Sequence, residues 1–91
     1  MLKLDIAPEA PLMNAAGSLG FAPEARLLEA FPQMGAFITN PVSLAERTPA
    51  RGPRLLAYPG GYLLHSGHPN PGLSSVIRRF AERWARSPLP V

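Results

Sequence analysis

The sequence contains no cysteine. That absence excludes disulfide scaffolds, thiolate zinc sites and cysteine nucleophiles. Histidine occurs only at His65 and His68, and no third ligand is in view, so no metal site is expected. Lysine is confined to Lys3, against eight arginines. No apolar run approaches the roughly 20 residues that a membrane span requires. The opening MLKLDIAPEAP places acids and prolines where a signal peptide needs an apolar stretch. A cytoplasmic chain with no membrane span is therefore expected. Acids are also scarce: between Arg47 and Arg86 only Glu82 stands against seven arginines. Such a stretch suits an anionic ligand, or it is simply the solvated face of an Arg-biased helix. No aromatics interleave with the arginines as stacking platforms, and no nucleic-acid partner is expected.

The 91 residues allow one small domain, which buries only about 60–65% of its unfolded surface. With 46% hydrophobic and 16% charged residues, the balance is that of a folded chain. Twelve prolines and eight glycines cut it into short segments. Leu2–Ile6 alternates apolar and polar residues, the period of a half-exposed strand. Leu12–Ala16 reads as a short buried strand running into a turn at Gly17–Gly20. Pro23–Met34 predicts a helix, with Pro23 at its first position and Gly35 as its stop. Ala36–Thr39 predicts a second buried strand, ended before Pro41.

Arg54–Tyr58 and Tyr62–His65 flank Pro59-Gly60-Gly61, a hairpin signal. His65–Gly72 is a loop by composition. Asn70-Pro71 reads as the cap and first position of the last helix. Leu73, Val76, Ile77, Phe80, Ala81, Trp84 and Ala85 share one face of that helix, and arginines occupy the other. Ser87–Val91 looks like the lead-in to another strand. Strand–helix alternation implies a parallel sheet, which 91 residues cannot cover on both faces. Residues 1–91 are thus expected to be a single incomplete domain, the front segment of a larger α/β protein.

Four ordered segments, Pro11–Gly20, Gly35–Leu44, Glu46–Arg54 and Leu63–Gly72, together resemble the dihydroorotate dehydrogenase family. Pro11–Gly20, PLMNAAGSLG, is similar to its N-P-x-x-N-A-(A/S)-G segment. Gly35–Leu44, GAFITNPVSL, resembles its G-A-(I/Y)-x-T-K-(S/T)-x-(T/S)-L strand. Glu46-Arg47 and Pro53-Arg54 resemble E-x-R…P-R, and Leu63–Gly72 resembles L-N-x-x-G-L-x-N-x-G. The resemblance implies the N-terminal part of a (β/α)8 TIM barrel: leading hairpin or strand, strand, helix, strand, hairpin excursion, helix and the start of a third strand. It implies FMN at the C-terminal ends of the strands. Ala15, Ala16 and Gly17 would set backbone against the flavin, and Asn40 would touch flavin or substrate. Leu64, Ser66, Gly67, His68 and Asn70 would line the substrate loop, although Asn70 as a helix cap needs no ligand.

Two positions depart from the pattern. Asn40 stands where the family has lysine, and supplies no charge. Leu64 stands where it has asparagine, and cannot hydrogen-bond a substrate ring. The implied activity is FMN-dependent oxidation of dihydroorotate or a related small substrate in pyrimidine biosynthesis. The family's catalytic base and phosphate site are expected beyond Val91, so no catalytic residue is expected here and the chain alone should not turn over. Alternatives are a substrate-switched flavin oxidoreductase of the same fold, a non-catalytic truncated fragment or interaction protein, and a basic binding module. A small-molecule substrate is the expected partner, with a homo-oligomer as the possible state of a full-length parent. Ser18 and Ser43 lack a nucleophile elbow, Gly17–Gly20 is no dinucleotide fingerprint, and Met34, Phe80 and Trp84 read as packing residues.

Overall fold

A computed structural model describes residues 8–91; the strand expected at Leu2–Ile6 lies outside them. The regular elements described are helix α1 (Ala25–Ala30), strands β1 (Leu55–Tyr58) and β2 (Gly61–Leu64), and helix α2 (Leu73–Ala85). The chain divides into two compact units. The first runs through Asn40 and resumes at Arg79–Val91; the second is Pro41–Arg78.

In the first unit, Met13 and Ala36 form a parallel bridge, and the Gly35 N–H donates to the Leu12 carbonyl at 2.7 Å. The Phe37 N–H donates to the Pro90 carbonyl at 2.9 Å. The segment around Ala36 thus shares hydrogen bonds with both the first apolar run and the end of the chain. The expected strands Leu12–Ala16 and Ala36–Thr39 nevertheless do not form regular ladders. Residues two apart in a strand point their N–H groups to the same neighbour. Gly35 and Phe37 donate to different neighbours, so their N–H groups do not extend one ladder and pairing stops at one bridge. Ala22, Met34, Ala36 and Phe37 form this unit's apolar core. Gly35 is buried, with no room for a side chain: a Cβ there would run into the Ala10 carbonyl.

Helix α1 is shorter than the expected Pro23–Met34. Glu24 is extended (φ −100°, ψ 147°) and forms the N-cap, so Pro23 precedes the helix. At the other end Pro32 has no N–H for the Leu28 carbonyl, and its ring crowds that carbonyl. The helix closes on the Phe31 N–H to Leu27 carbonyl bond of 2.9 Å, and Gly35 takes no part in the stop.

Helix α2 begins at Leu73 because Asn70 and Pro71 belong to the preceding loop; the Val76 N–H donates to the Gly72 carbonyl at 3.0 Å. The expected apolar face separates into two rows of i,i+4 spacing. Val76 is fully buried, and Phe80 and Trp84 are half-buried. Leu73, Ile77, Ala81 and Ala85 stay exposed. In the first unit the Trp84 indole N–H donates to the Phe21 carbonyl at 2.6 Å, and the Phe21 and Phe80 rings stack at 5.2 Å. The Arg83 guanidinium lies 5.6 Å from the Phe80 ring centre, within cation–π range.

The second unit carries the expected hairpin. Leu55, Leu56, Ala57 and Tyr58 pair with Leu64, Leu63, Tyr62 and Gly61 respectively. The turn is two residues, Pro59 and Gly60, with Gly60 at φ 98°. Gly61 therefore belongs to β2 rather than to the turn, and the His65 N–H to Arg54 carbonyl bond of 2.8 Å extends the pairing.

Candidate functional site

Within the first unit, Asn14 organises the Gly-rich turn. Its Nδ2 donates to the Ile38 carbonyl at 2.8 Å and its Oδ1 accepts the Ile38 N–H at 2.8 Å. The same Nδ2 lies 3.1 Å from the Ala15 carbonyl, which also accepts the Ser18 N–H at 3.2 Å and the Ser18 hydroxyl at 2.6 Å. Residues Ala15–Ser18 are thereby closed into a turn with Gly17 at φ 87°. Ala15, Ala16 and Gly17 are all exposed. They present backbone and small side chains, a surface that a flat ring can approach. Beside the turn lies an apolar cleft of about 320 Å³, walled in part by Leu12, Leu19, Phe31 and Met34.

Asn40 closes the segment after Ile38, its N–H donating to the Gly20 carbonyl at 2.9 Å. Its Oδ1 is buried and has no hydrogen-bond partner among the described residues. A buried acceptor left unmet costs about 1–3 kcal/mol. A ligand with an N–H donor would meet it, and a half-turn about χ2 offers the donating end of the amide instead. The exposed turn and the unmet amide both fit an aromatic group carrying N–H and C=O on its rim, such as a flavin.

Within the second unit, Asn70 is buried and its side chain is fully engaged. Nδ2 donates to Ser43 Oγ at 2.9 Å and to the His68 carbonyl at 3.0 Å. Oδ1 accepts the Gly72 N–H at 2.9 Å and the Ser43 N–H at 3.3 Å. The Ser43 hydroxyl in turn donates to the Ala45 carbonyl at 2.6 Å. Asn70 and Arg47 exchange backbone bonds of 2.9 and 3.1 Å as an antiparallel bridge. Asn70 is thus the brace of its loop, not the cap of α2: it holds the Gly72 N–H one residue before the helix.

The loop at Ser66–His68 is strapped to residues 47–50. Arg47 Nε donates to the Gly67 carbonyl at 3.0 Å, and the Ala50 N–H donates to the Ser66 carbonyl at 2.9 Å. Gly67 sits at φ 78°, and a Cβ there would lie 2.8 Å from the Ala50 nitrogen. His68 follows at φ 50°, the one non-glycine positive φ among the described residues, and its N–H donates to Ser66 Oγ at 3.1 Å. Strain of this kind persists where surrounding bonds over-determine the backbone. Arg47, Ser43, His68 and Asn70 share the wall of a pocket of about 370 Å³. Leu64 ends β2 and is 71% exposed, and His65 is exposed beside it.

The dihydroorotate dehydrogenase family model matches residues 4–91. This chain belongs to the dihydroorotate dehydrogenase family. It is 31% identical over 81 residues to a dihydroorotate dehydrogenase B (NAD(+)) catalytic subunit of Desulforudis audaxviator, covering 89% of this chain and 26% of that protein. It is 33% identical over 69 residues to the protein of the same description in Trichlorobacter lovleyi, covering 76% and 23%. A putative dihydroorotate dehydrogenase A (fumarate) of Aquifex aeolicus is 32% identical over 68 residues, covering 75% and 22%. The chain therefore spans about a quarter of the length of these relatives.

Of the residues singled out in sequence, the fold groups Ala15, Ala16 and Gly17 in one turn, with Asn40 in the same unit. It groups Ser66, Gly67, His68 and Asn70 in one loop, with Leu64 at the end of the adjoining strand. Among the described residues no group of three or more His, Cys, Asp or Glu could hold a metal ion, and no helix is long and apolar enough to cross a membrane. Sequence reasoning passed over Asn14 and Arg47 as organisers of these segments and weighed Ser43 only as a nucleophile. A signal existed for Asn14: an amide ending an apolar run, next to a turn, has backbone groups to satisfy.

Proposed function

We propose that this chain is the N-terminal part of a (β/α)8 flavoprotein, an FMN-dependent oxidoreductase acting on dihydroorotate or a related small substrate in pyrimidine biosynthesis. The family match over residues 4–91 carries this reading. The parallel bridge Met13–Ala36 and the Phe37 to Pro90 bond support it, since they set successive segments side by side as a barrel requires. On this reading residues 1–91 are one incomplete domain. The working protein is cytoplasmic and forms a homo-oligomer.

Ala15, Ala16, Gly17 and Asn40 would hold the flavin ring, with Asn14 keeping the turn in shape. FMN, when bound, would supply the redox chemistry by taking up a hydride from the substrate. Ser66, Gly67 and His68 would border the substrate, with Leu64 at the loop's edge. Asn70 would act as a positioning residue, since its side chain is used within the loop.

Leu64, apolar and 71% exposed, favours a second reading within the same fold: a flavin oxidoreductase with a changed substrate. A site that reads polar ring atoms discriminates strongly against loss of its hydrogen bonds. Flavin fluorescence titration of the full-length protein that carries this segment tests the first reading: saturable FMN binding that weakens in Asn40→Ala supports it, and no saturable binding removes it. Orotate titration of the flavin-bound protein then separates the two substrates. Binding at micromolar or tighter levels assigns dihydroorotate; binding that appears only in Leu64→Asn assigns a changed substrate.

A further inference from the structure

The peptide unit between Gly67 and His68 is held at both of its polar atoms. Its carbonyl accepts from Arg47 Nε at 3.0 Å, and its N–H donates to Ser66 Oγ at 3.1 Å. The peptide is trans, so the two partners stand on opposite sides of it. The orientation so fixed is the unfavourable one. It gives His68 a φ of 50°, which disfavours a residue with a Cβ by roughly tenfold. A more favourable orientation lies close by. Rotating the peptide by half a turn leaves the Cα atoms nearly in place. It takes His68 to a φ of about −130°, in the β region open to any side chain. The same rotation separates type I from type II turns. Gly67 absorbs the matching change in ψ because it has no Cβ.

The two partners differ in what they tolerate. Ser66 suits either orientation, since a hydroxyl both donates and accepts. Arg47 suits only one: a guanidinium donates and never accepts, so it holds a carbonyl and repels an N–H. Arg47 is itself anchored, because its backbone exchanges bonds of 2.9 and 3.1 Å with buried Asn70. It therefore grips the loop at Asn70 through its main chain and at Gly67 through its side chain, with His68 between the two grips. We propose that Arg47 is a positioning residue that selects the orientation of the Gly67–His68 peptide, against the backbone preference of His68. The inference rests on the proposed reading of Ser66–His68 as the border of the substrate. There the orientation fixes which side of the loop offers an N–H and which a carbonyl. Arg47 thus sets substrate affinity through the loop and takes no part in the flavin chemistry.

Crystal structures of the full-length protein that carries this segment read the orientation directly, with no need of substrate. In Arg47→Ala the His68 backbone is expected to be extended. In Arg47→Lys, whose ammonium also only donates, His68 should keep its positive φ. Absorbance titration of the flavin-bound protein with orotate reads the consequence. Arg47→Ala should raise the orotate Kd about tenfold, the ratio by which the selected orientation is disfavoured. Adding His68→Gly to Arg47→Ala should bring the Kd back to within about threefold of His68→Gly alone, since glycine carries no penalty at positive φ. Loss of a plain anchor would show no such rescue, because glycine would loosen the loop further. A positive φ retained at His68 in Arg47→Ala overturns the proposal. Loss of order across residues 66–70 in that variant also overturns it, as does an orotate Kd unmoved by a rotated peptide. An unmodified protein that binds FMN but not orotate removes the dihydroorotate reading alone, and the His68 angle then decides this one.

Discussion

Asn14 and Ile38 form a reciprocal pair in which a side-chain amide takes the place of a strand neighbour. The two bonds are each 2.8 Å and join residues 24 apart in the chain. Backbone pairing between these segments ends at the Met13–Ala36 bridge, so Ile38 would otherwise have a half-buried N–H and C=O unmet. Asn14→Ala should lower stability by about 1–3 kcal/mol, since both groups lose their partner. Asn14→Asp should not restore it, because a carboxylate accepts the N–H and repels the carbonyl. Urea unfolding of the three proteins checks this. Wild-type stability in Asn14→Asp would show that the Ile38 carbonyl needs no donor.

Gly67 and Gly52 have nearly the same backbone angle, φ 78° and 80°, but different surroundings. Nothing lies within 4 Å of a Cβ at residue 52, whereas one at residue 67 would meet the Ala50 nitrogen at 2.8 Å. Gly52→Ala should cost about 1–2 kcal/mol, the left-handed penalty alone. Gly67→Ala should cost about 1–3 kcal/mol more, because the strap to Ala50 must shift. Unfolding midpoints of the two variants read the difference. Equal shifts would mean that the Ser66–His68 loop moves freely away from Ala50.

Local signals made part of the fold legible. The Pro59-Gly60 turn between two apolar runs and the periodicity of α2 both rest on neighbours within a few residues. Periodicity gave the apolar positions of α2 but not their coverage: Val76 is buried while Ile77, equally apolar, is 48% exposed. Which row is covered depends on distant partners such as Phe21, which no local pattern encodes. The irregular pairing at Ala36 was hidden for the same reason, since it depends on where Pro90 falls. At the candidate site, the residue types in the loop were legible and their employment was not. Asn70 reads alike as a cap, a ligand contact or a brace until its four partners are known.

Those partners make Asn70 and Ser43 a coupled pair. Asn70→Ala would leave the Gly72 N–H, the Ser43 N–H and the His68 carbonyl without their side-chain partner, and should cost about 2–4 kcal/mol. Ser43→Ala removes one acceptor and should cost about 1 kcal/mol. The double variant should fall short of the sum by about 0.5–1 kcal/mol, because the shared bond is lost only once. A double-mutant cycle in urea measures that coupling. Strict additivity would mean that the 2.9 Å contact contributes nothing to the brace.

Asn40 separates a structural role from a binding role by the sign of two measurements. In the free chain its Oδ1 is buried without a partner among the described residues, so the amide is a liability there. Asn40→Ala removes the unmet acceptor and should leave stability unchanged, or raise it by up to about 1 kcal/mol. If the amide meets a flavin, the same substitution should weaken FMN binding about tenfold, the loss of one well-placed hydrogen bond. Asn40→Lys brings a flexible cation to the position, as the family pattern has it, and should bind the flavin more tightly than Asn40→Ala does. Urea unfolding gives the first quantity and flavin fluorescence titration the second. A structural asparagine would show the opposite signs: Asn40→Ala less stable by more than 1 kcal/mol, with FMN affinity unmoved. That outcome would leave the Ala15–Gly17 turn as the sole flavin contact of this unit.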